Sequence, residues 1–221
     1  MASLTVENYV KSALQIELKS GNEWVSTGAL AEALDVSPGS VTSMLKTLSE
    51  SNLAEYRPYE GVRLTDAGRK LAMRMLRRHR LIEEFLVKTL DLTWDQVHDE
   101  AEDMEHAVSD FLIDRIDEFL GCPETDPHGS PIPTAEGKLR SNNVETRRLT
   151  ECESGAKVRL IRVENQAPEL LRYLAQSGFE LGSVATIQDN NGALGQLTAK
   201  CRSKTFQLQH RHAESLLVEE L

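Results

Sequence analysis

Five residues, Asp35-Val36-Ser37-Pro38-Gly39, constrain this chain most, because they break one helical pattern and start another within a single turn. Proline lacks a backbone donor and glycine frees the backbone, so no regular helix runs through them. Before them, Ser26 or Thr27 can cap a short helix through Gly28-Ala29-Leu30-Ala31-Glu32-Ala33-Leu34. After them, Ser37 caps a helix from Ser40 to Ser51, with Val41, Met44, Leu45 and Leu48 turned inward. Two helices on so short a turn form a helix-turn-helix. Upstream, Val6 to Ser20 reads as a helix with Val6, Val10, Ala13, Leu14 and Leu18 on one face. Downstream, two short strands flank the turn Pro58-Tyr59-Glu60-Gly61, which reads as a hairpin wing.

A helix-turn-helix followed by a wing implies duplex DNA, with the second helix of the motif in the major groove. The candidates for contact on that helix are Ser37, Pro38, Ser40, Thr42 and Ser43, with Lys46, Arg57 and Arg63 facing phosphates. No Arg, Asn or Gln stands at the helix start for bidentate base contact, so DNA shape is expected to carry much of the specificity. A winged module used for protein contact is the alternative.

Beyond the wing, Thr65 caps a long helix from Asp66 to Leu90, followed by helices at Thr93–Ala107 and Ser109–Leu120. The stretch from Gly121 to Pro133 is rich in Pro and Gly and reads as loop. From Lys157 the pattern changes to short alternating strands at Val158–Val163, Val184–Ile187, Gly192–Lys200 and Thr205–Leu208, around a short helix at Leu170–Ser177. That spacing suits a small β-barrel. The expected fold is therefore mainly α. It has a winged helix-turn-helix at 1–75, a helical domain at 76–140, a linker at 141–156 and a small barrel at 157–221. The helices from 66 to 120 carry more apolar surface than one hairpin buries. Leu81, Phe85, Phe111, Leu112, Ile116 and Phe119 are the candidates for a homodimer interface, and a two-fold dimer matches a palindromic operator.

The formal net charge of -10 has the wrong sign for a DNA binder, and its distribution explains why. Residues 1–80 hold 11 Lys/Arg against 9 Asp/Glu, residues 81–138 hold 3 against 16, and residues 139–221 hold 11 against 10. The acidic middle segment also carries most of the His and Glu of the helical spacings. His79 and Glu83 are four apart, and His98, Glu102, Glu105 and His106 follow at spacings of four, three and one. Imidazole with carboxylate suits Mn(II), Fe(II), Co(II) or Zn(II). The bland reading, surface ion pairs on a solvated acidic face, stays open. Three widely spaced cysteines argue against a disulfide framework and for a reducing cytoplasm, and no apolar run approaches a membrane span.

In the segments ALAEALDVSPGSVTSMLKTL, YRPYEGVRLTDAG, RRHRLIEEFL, VHDEAEDMEHAVSDFLIDRI and DPHGSPIP the chain resembles the diphtheria toxin repressor family of metal-dependent regulators. Its last residues resemble the SH3-like third domain of the longer members. The resemblance implies a repressor in which a bound metal orders the first helix and fixes two reading heads on DNA. It implies a primary site of Asn8, Glu102, Glu105 and His106. It implies a second site of His79, Glu83 and His98, completed by Asp126, His128 or Glu164. Iron-type members carry Cys where this chain has Glu102, so Glu102 implies the manganese branch, with Mn(II) or Fe(II) as cofactor. Asn8 is the amide of the Asp expected there, and Lys11 stands where some manganese regulators have a second acidic ligand. An enzyme is not expected, because a di-iron carboxylate oxidase needs two Glu-x-x-His motifs and the chain has none in that form. The rival readings are a winged-helix regulator sensing a non-metal ligand and an iron-specific regulator of the same family.

Overall fold

Three serines set the starts of helices in the N-terminal part of the chain. Ser3, Ser26 and Ser37 each cap a helix through a side-chain oxygen, and Pro38 opens the helix that Ser37 caps. The resulting helices are α1 (Leu4–Ser20), α2 (Thr27–Ala33) and α3 (Pro38–Glu50). The computed structural model describes residues 3–140 and 144–221. By internal contacts the chain divides into two units. The first runs through His79 and includes Glu105–Ala107 and Pro133–Leu139, and the second holds Arg80–Met104, Val108–Ile132 and the chain from Arg140.

In the first unit, β1 (Ala54–Arg57) and β2 (Gly61–Leu64) pair antiparallel from Ala54↔Leu64 to Arg57↔Gly61, which makes the wing. Tyr59 at its tip is fully exposed and left-handed, with φ 69°. The core gathers Val10, Leu14, Leu30, Val41, Leu45, Leu48, Val62 and Leu76. The long helix α4 (Asp66–Leu90) matches its sequence expectation at both ends.

The second unit contains α5 (Val97–Met104) and α6 (Asp110–Phe119), packed around Leu81, Ile82, Leu86, Val97, Ala101, Ile113, Ile116 and Ile132. Leu81 and Ile116, expected at a dimer interface, are therefore core residues of this unit, whereas Phe111, Leu112 and Phe119 are exposed. α5 is shorter than the expected Thr93–Ala107. Its chain leaves the helix after Met104, and residues 105–107 form a turn in the first unit.

The remaining strands are β3 (Arg147–Arg148), β4 (Lys157–Val163), β5 (Val184–Asn191), β6 (Gln196–Cys201), β7 (Lys204–Gln209) and β8 (Leu216–Glu220), with α7 (Pro168–Ser177) and α8 (His210–Ala213). β3 falls within the stretch expected as linker, and residues 141–143 of that stretch lie outside the described residues. The sheet order is β3-β8-β4-β5-β6-β7, antiparallel throughout. The expected closed barrel gives way to an open sheet with β3 and β7 at its edges. β3 is two residues long, and its partner is β8, so it offers β7 no ladder that would close the ring. Register shifts at Leu160/Arg162 and Ile187/Asp189 bend the sheet over Phe179, Leu171 and Leu174. Within the same unit, the sheet meets the loop after α6. The Val163 N–H donates to the His128 carbonyl at 2.9 Å, and Arg162 Nε donates to the Gly129 carbonyl at 3.2 Å.

Candidate metal centres and nucleic-acid interface

α1 and the turn at residues 105–107 bring polar groups together inside the first unit. His106 Nδ1 lies 2.8 Å from Glu7 Oε2. A carboxylate only accepts, so Nδ1 carries a proton, and in the neutral ring Nε2 keeps its lone pair. That Nε2 is buried without a hydrogen-bond partner, as is Asn8 Oδ1. Nε2 also stands 3.5 Å from Glu105 Oε1. Glu105 is fully buried and doubly held: Lys11 Nζ donates to Oε1 at 2.6 Å, and His79 Nδ1 lies 2.8 Å from Oε2. Arg78 Nη1 donates to the Glu105 backbone carbonyl at 3.2 Å, fixing the turn. Buried acceptors without donors cost free energy, so His106 Nε2, 3.5 Å from the Glu105 carboxylate, fits a divalent cation, and Asn8 Oδ1 is a second such acceptor on α1, next to Glu7 in the chain.

The second unit holds the other candidates. Glu83 is fully buried on α4, with His98 Nδ1 3.4 Å from Oε1 and His128 Nδ1 3.7 Å from Oε2. His128 Nε2 lies 2.7 Å from the Trp94 carbonyl, and the two rings stack with centroids 6.4 Å apart. A carbonyl only accepts, so in the neutral ring Nδ1 is the bare lone pair facing Glu83. A lone pair and a carboxylate so placed in a dry interior call for a proton or a cation between them. Ligand atoms of Glu83, Asp126 and His128 lie within 4.8 Å of one another. Asp126 also organises the loop: Oδ1 accepts from the His128 and Ser130 N–H groups at 2.8 and 2.9 Å, and Oδ2 lies 3.5 Å from Arg80 Nε. Burial and the Glu83 charge push the Asp126 carboxyl up, against Arg80. Burial lowers the His128 pKa, but Glu83 and Asp126 together hold it above the usual imidazole value. Glu164 follows β4 and pairs with Arg148 at 3.3 Å. Glu102, on α5, stands one turn from His98, with Oε1 4.0 Å from Nε2.

On α3, Ser37, Pro38, Ser40, Ser43 and Lys46 are exposed and Thr42 is half-buried. The Thr42 and Ser43 hydroxyls donate back to the Pro38 and Gly39 carbonyls, which leaves their oxygens free to accept. The wing arginines carry partners of their own: Arg57 with Glu60 at 3.1 Å, and Arg63 with Glu55 and Glu23 at 2.9 and 3.4 Å. Both guanidinium groups lie over Trp24, 4.6 and 5.2 Å from its centroid.

Sequence reasoning did not assign Glu7, Trp94 or Arg80, and it gave Lys11 no partner. For Glu7 and Lys11 a signal existed. They stand four apart on α1, and Lys11 sits inside the buried run Tyr9–Leu14, where a lysine requires an anion. For the Trp94 carbonyl no sequence signal existed, because any residue supplies a carbonyl.

A winged helix-turn-helix in one chain with buried imidazole and carboxylate donors defines the class of metal-responsive transcription regulators. Comparison with known families and proteins agrees. The model described as "Iron dependent repressor, N-terminal DNA binding domain" matches residues 1–62. "Iron dependent repressor, metal binding and dimerisation domain" matches 65–134, and the FeoA domain matches 147–220. The transcriptional regulator MntR of Oceanobacillus iheyensis is 36% identical over 120 residues, covering 54% of this chain and 80% of the relative. The iron-dependent repressor IdeR of Mycobacterium leprae is 31% identical over 164 residues, covering 71% and 70%. A solved manganese-dependent transcriptional repressor in complex with manganese superposes with a TM-score of 0.87 at 37% identity, over 98% of this chain and 100% of the other. The chain belongs to the diphtheria toxin repressor family of metal-dependent transcriptional repressors.

Proposed function

We propose that this protein represses transcription as a homodimer on a palindromic duplex, with Mn(II) or Fe(II) as corepressor. The observation that carries the reading is the buried, unpartnered His106 Nε2, 3.5 Å from the Glu105 carboxylate, with Asn8 Oδ1 a second buried, unpartnered acceptor on α1. Asn8, Glu105 and His106 would hold the primary ion, and Glu102, three residues before Glu105 in the chain, is the fourth donor that the resemblance assigns. When bound, the ion would supply positive charge beside the Glu105 carboxylate and the His106 ring. Glu7 holds the His106 ring in the tautomer with Nε2 available. Oxygen donors predominate in this set and no thiolate takes part, which suits Mn(II) and admits Fe(II). The resemblance assigns His79, Glu83 and His98 to the second site, completed by Asp126, His128 or Glu164; ligand atoms of Glu83, Asp126 and His128 lie within 4.8 Å of one another, and Glu164 follows the strand that docks on the His128 carbonyl. Residues 1–75 would read DNA through Ser37, Pro38, Ser40, Thr42, Ser43, Lys46, Arg57 and Arg63. Residues 76–140 would serve dimerisation and metal binding, ahead of the linker at 141–156 and the SH3-like domain at 157–221.

The test is DNA affinity by fluorescence anisotropy, on a duplex selected from a random library with Mn(II) present. Binding should strengthen at least tenfold from chelated protein to Mn(II), and Fe(II) under anaerobic conditions should act in the same direction. Equal affinity with chelator and with either ion would overturn the reading and favour a regulator that senses a non-metal ligand.

A further inference from the structure

Lys11 is the one buried lysine among the described residues, at 3% exposure in the core-facing run of α1. A buried ammonium persists only beside an anion. Its anion is Glu105, which is itself fully buried and receives the Lys11 hydrogen bond on Oε1 at 2.6 Å. The same oxygen stands 3.5 Å from His106 Nε2, so it is the Glu105 oxygen that faces the primary donor set. Asn8 is a neutral amide and the His106 ring has a lone pair at Nε2, which leaves Glu105 as the sole anion among these three donors. Lys11 therefore cancels the whole negative charge of the three.

Resting on the metal reading above, we propose that Lys11 is a resident cation of the primary site, which neutralises Glu105 in the ion-free protein and sets the concentration of free metal needed to fill the site. In the ion-free state the ammonium does part of an ion's work, because it ties α1 to the 105–107 turn and compensates a buried carboxylate. On loading, it must yield Oε1 or share it, and its charge opposes that of the incoming ion throughout. Removing the charge while keeping the bulk should have two opposite effects: a less stable ion-free protein and tighter metal binding.

The experiment titrates Mn(II) against full-length protein, reading free Mn(II) by its electron paramagnetic resonance signal, and records melting in chelator. The variants are Lys11→Met, Lys11→Gln and Lys11→Arg, with His106→Ala to identify the primary ion. Lys11→Met and Lys11→Gln should melt below wild type in chelator, yet lower the Mn(II) Kd of the primary ion at least tenfold. Lys11→Arg should stay within about threefold of wild type, because it keeps the charge. Lys11→Gln retains a hydrogen-bond donor toward Glu105 and covers the case in which Lys11→Met fails to fold. Unchanged or weaker Mn(II) binding by the uncharged variants, with His106→Ala losing an ion, overturns the role of Lys11 and leaves the metal reading intact. Absence of any ion dependent on His106, in wild type and variants alike, overturns both.

Discussion

Glu84 sits on α4 with its side chain about a tenth exposed, and Lys88 lies 3.9 Å away in the next turn. Burial raises its carboxyl pKa, the charges of Asp126 and Glu83 add to the rise, and Lys88 only partly opposes it. A carboxyl raised above its unfolded value is a liability when ionised. The cost is absent below the unfolded pKa, where both states hold the proton, and complete above the folded pKa. Glu84→Gln should therefore raise Tm at neutral pH by about 2 °C. The gain should shrink as pH falls through the folded and then the unfolded pKa, and vanish in acid. Melting curves of both proteins in chelator across that range check it, and a gain that grows toward acid would show the sign to be wrong. Glu105 presents the opposite case at the same scale. It is more deeply buried than Glu84, but Lys11 and His79 hold both its oxygens, so removing either partner costs stability and removing the charge of Glu84 does not.

Among the elements, the loop from Asp126 to Ser130 shows how a turn places a candidate ligand. Gly129 has φ 85° and closes the turn through its N–H to the Asp126 carbonyl at 3.0 Å. A Cβ there would stand 2.0 Å from the Ile161 carbonyl oxygen and 2.9 Å from Arg162 Cα, both backbone of β4. Gly129→Ala must therefore push β4 off the loop and break the Val163-to-His128 and Arg162-to-Gly129 hydrogen bonds. Strain and lost contacts together should cost about 3 kcal/mol or more in urea unfolding. The variant should also lose the ion that depends on His128 while keeping the ion that depends on His106. A variant as stable as wild type would mean that the loop and β4 are not in contact in solution. These elements also mark where the sequence was legible. Serine caps, the break at Pro38-Gly39 and the apolar spacing of α4 are local, and they gave α1 to α4 and the wing nearly to the residue. Where a distant partner decides the backbone, local patterns failed. Glu105 and His106 follow α5 in helical spacing, yet the chain turns there, with Lys11, His79 and Glu7 holding their side chains. The sequence pattern assigns no element after Leu208, and β8 forms there as a strand flanked by β4 and β3. The donor residues on α4 and α5 were visible as His and Glu at helical spacing, but the Trp94 carbonyl that sets the His128 tautomer was not.

At the scale of the whole molecule, no helix among the described residues is long and apolar enough to cross a membrane, and α6 carries an exposed apolar face. Phe111 is 75% exposed, Phe119 70% and Leu112 46%. Leu112 and Phe119 are seven apart and so share a face, and Phe85 meets the Phe119 ring edge-on at 6.3 Å. Large aromatics left in water on a helix of a domain matched as "metal binding and dimerisation" are best buried against a second copy. Full burial of one such side chain contributes about 1.5–3 kcal/mol, and in a two-fold interface each residue counts twice. Phe119→Asp replaces that gain with a buried carboxylate on each copy of the contact face. Wild type should scatter light as twice 24.7 kDa at micromolar concentration, and the variant as 24.7 kDa. Because two reading heads held together engage both half-sites at high effective concentration, the monomer should lose about a hundredfold in affinity for a palindromic duplex. For a duplex carrying one half-site the loss should be small, since α3 and the wing belong to a single chain. A variant that remains dimeric would place the interface elsewhere, and equal losses on both duplexes would mean that Phe119 acts through the fold of the reading head.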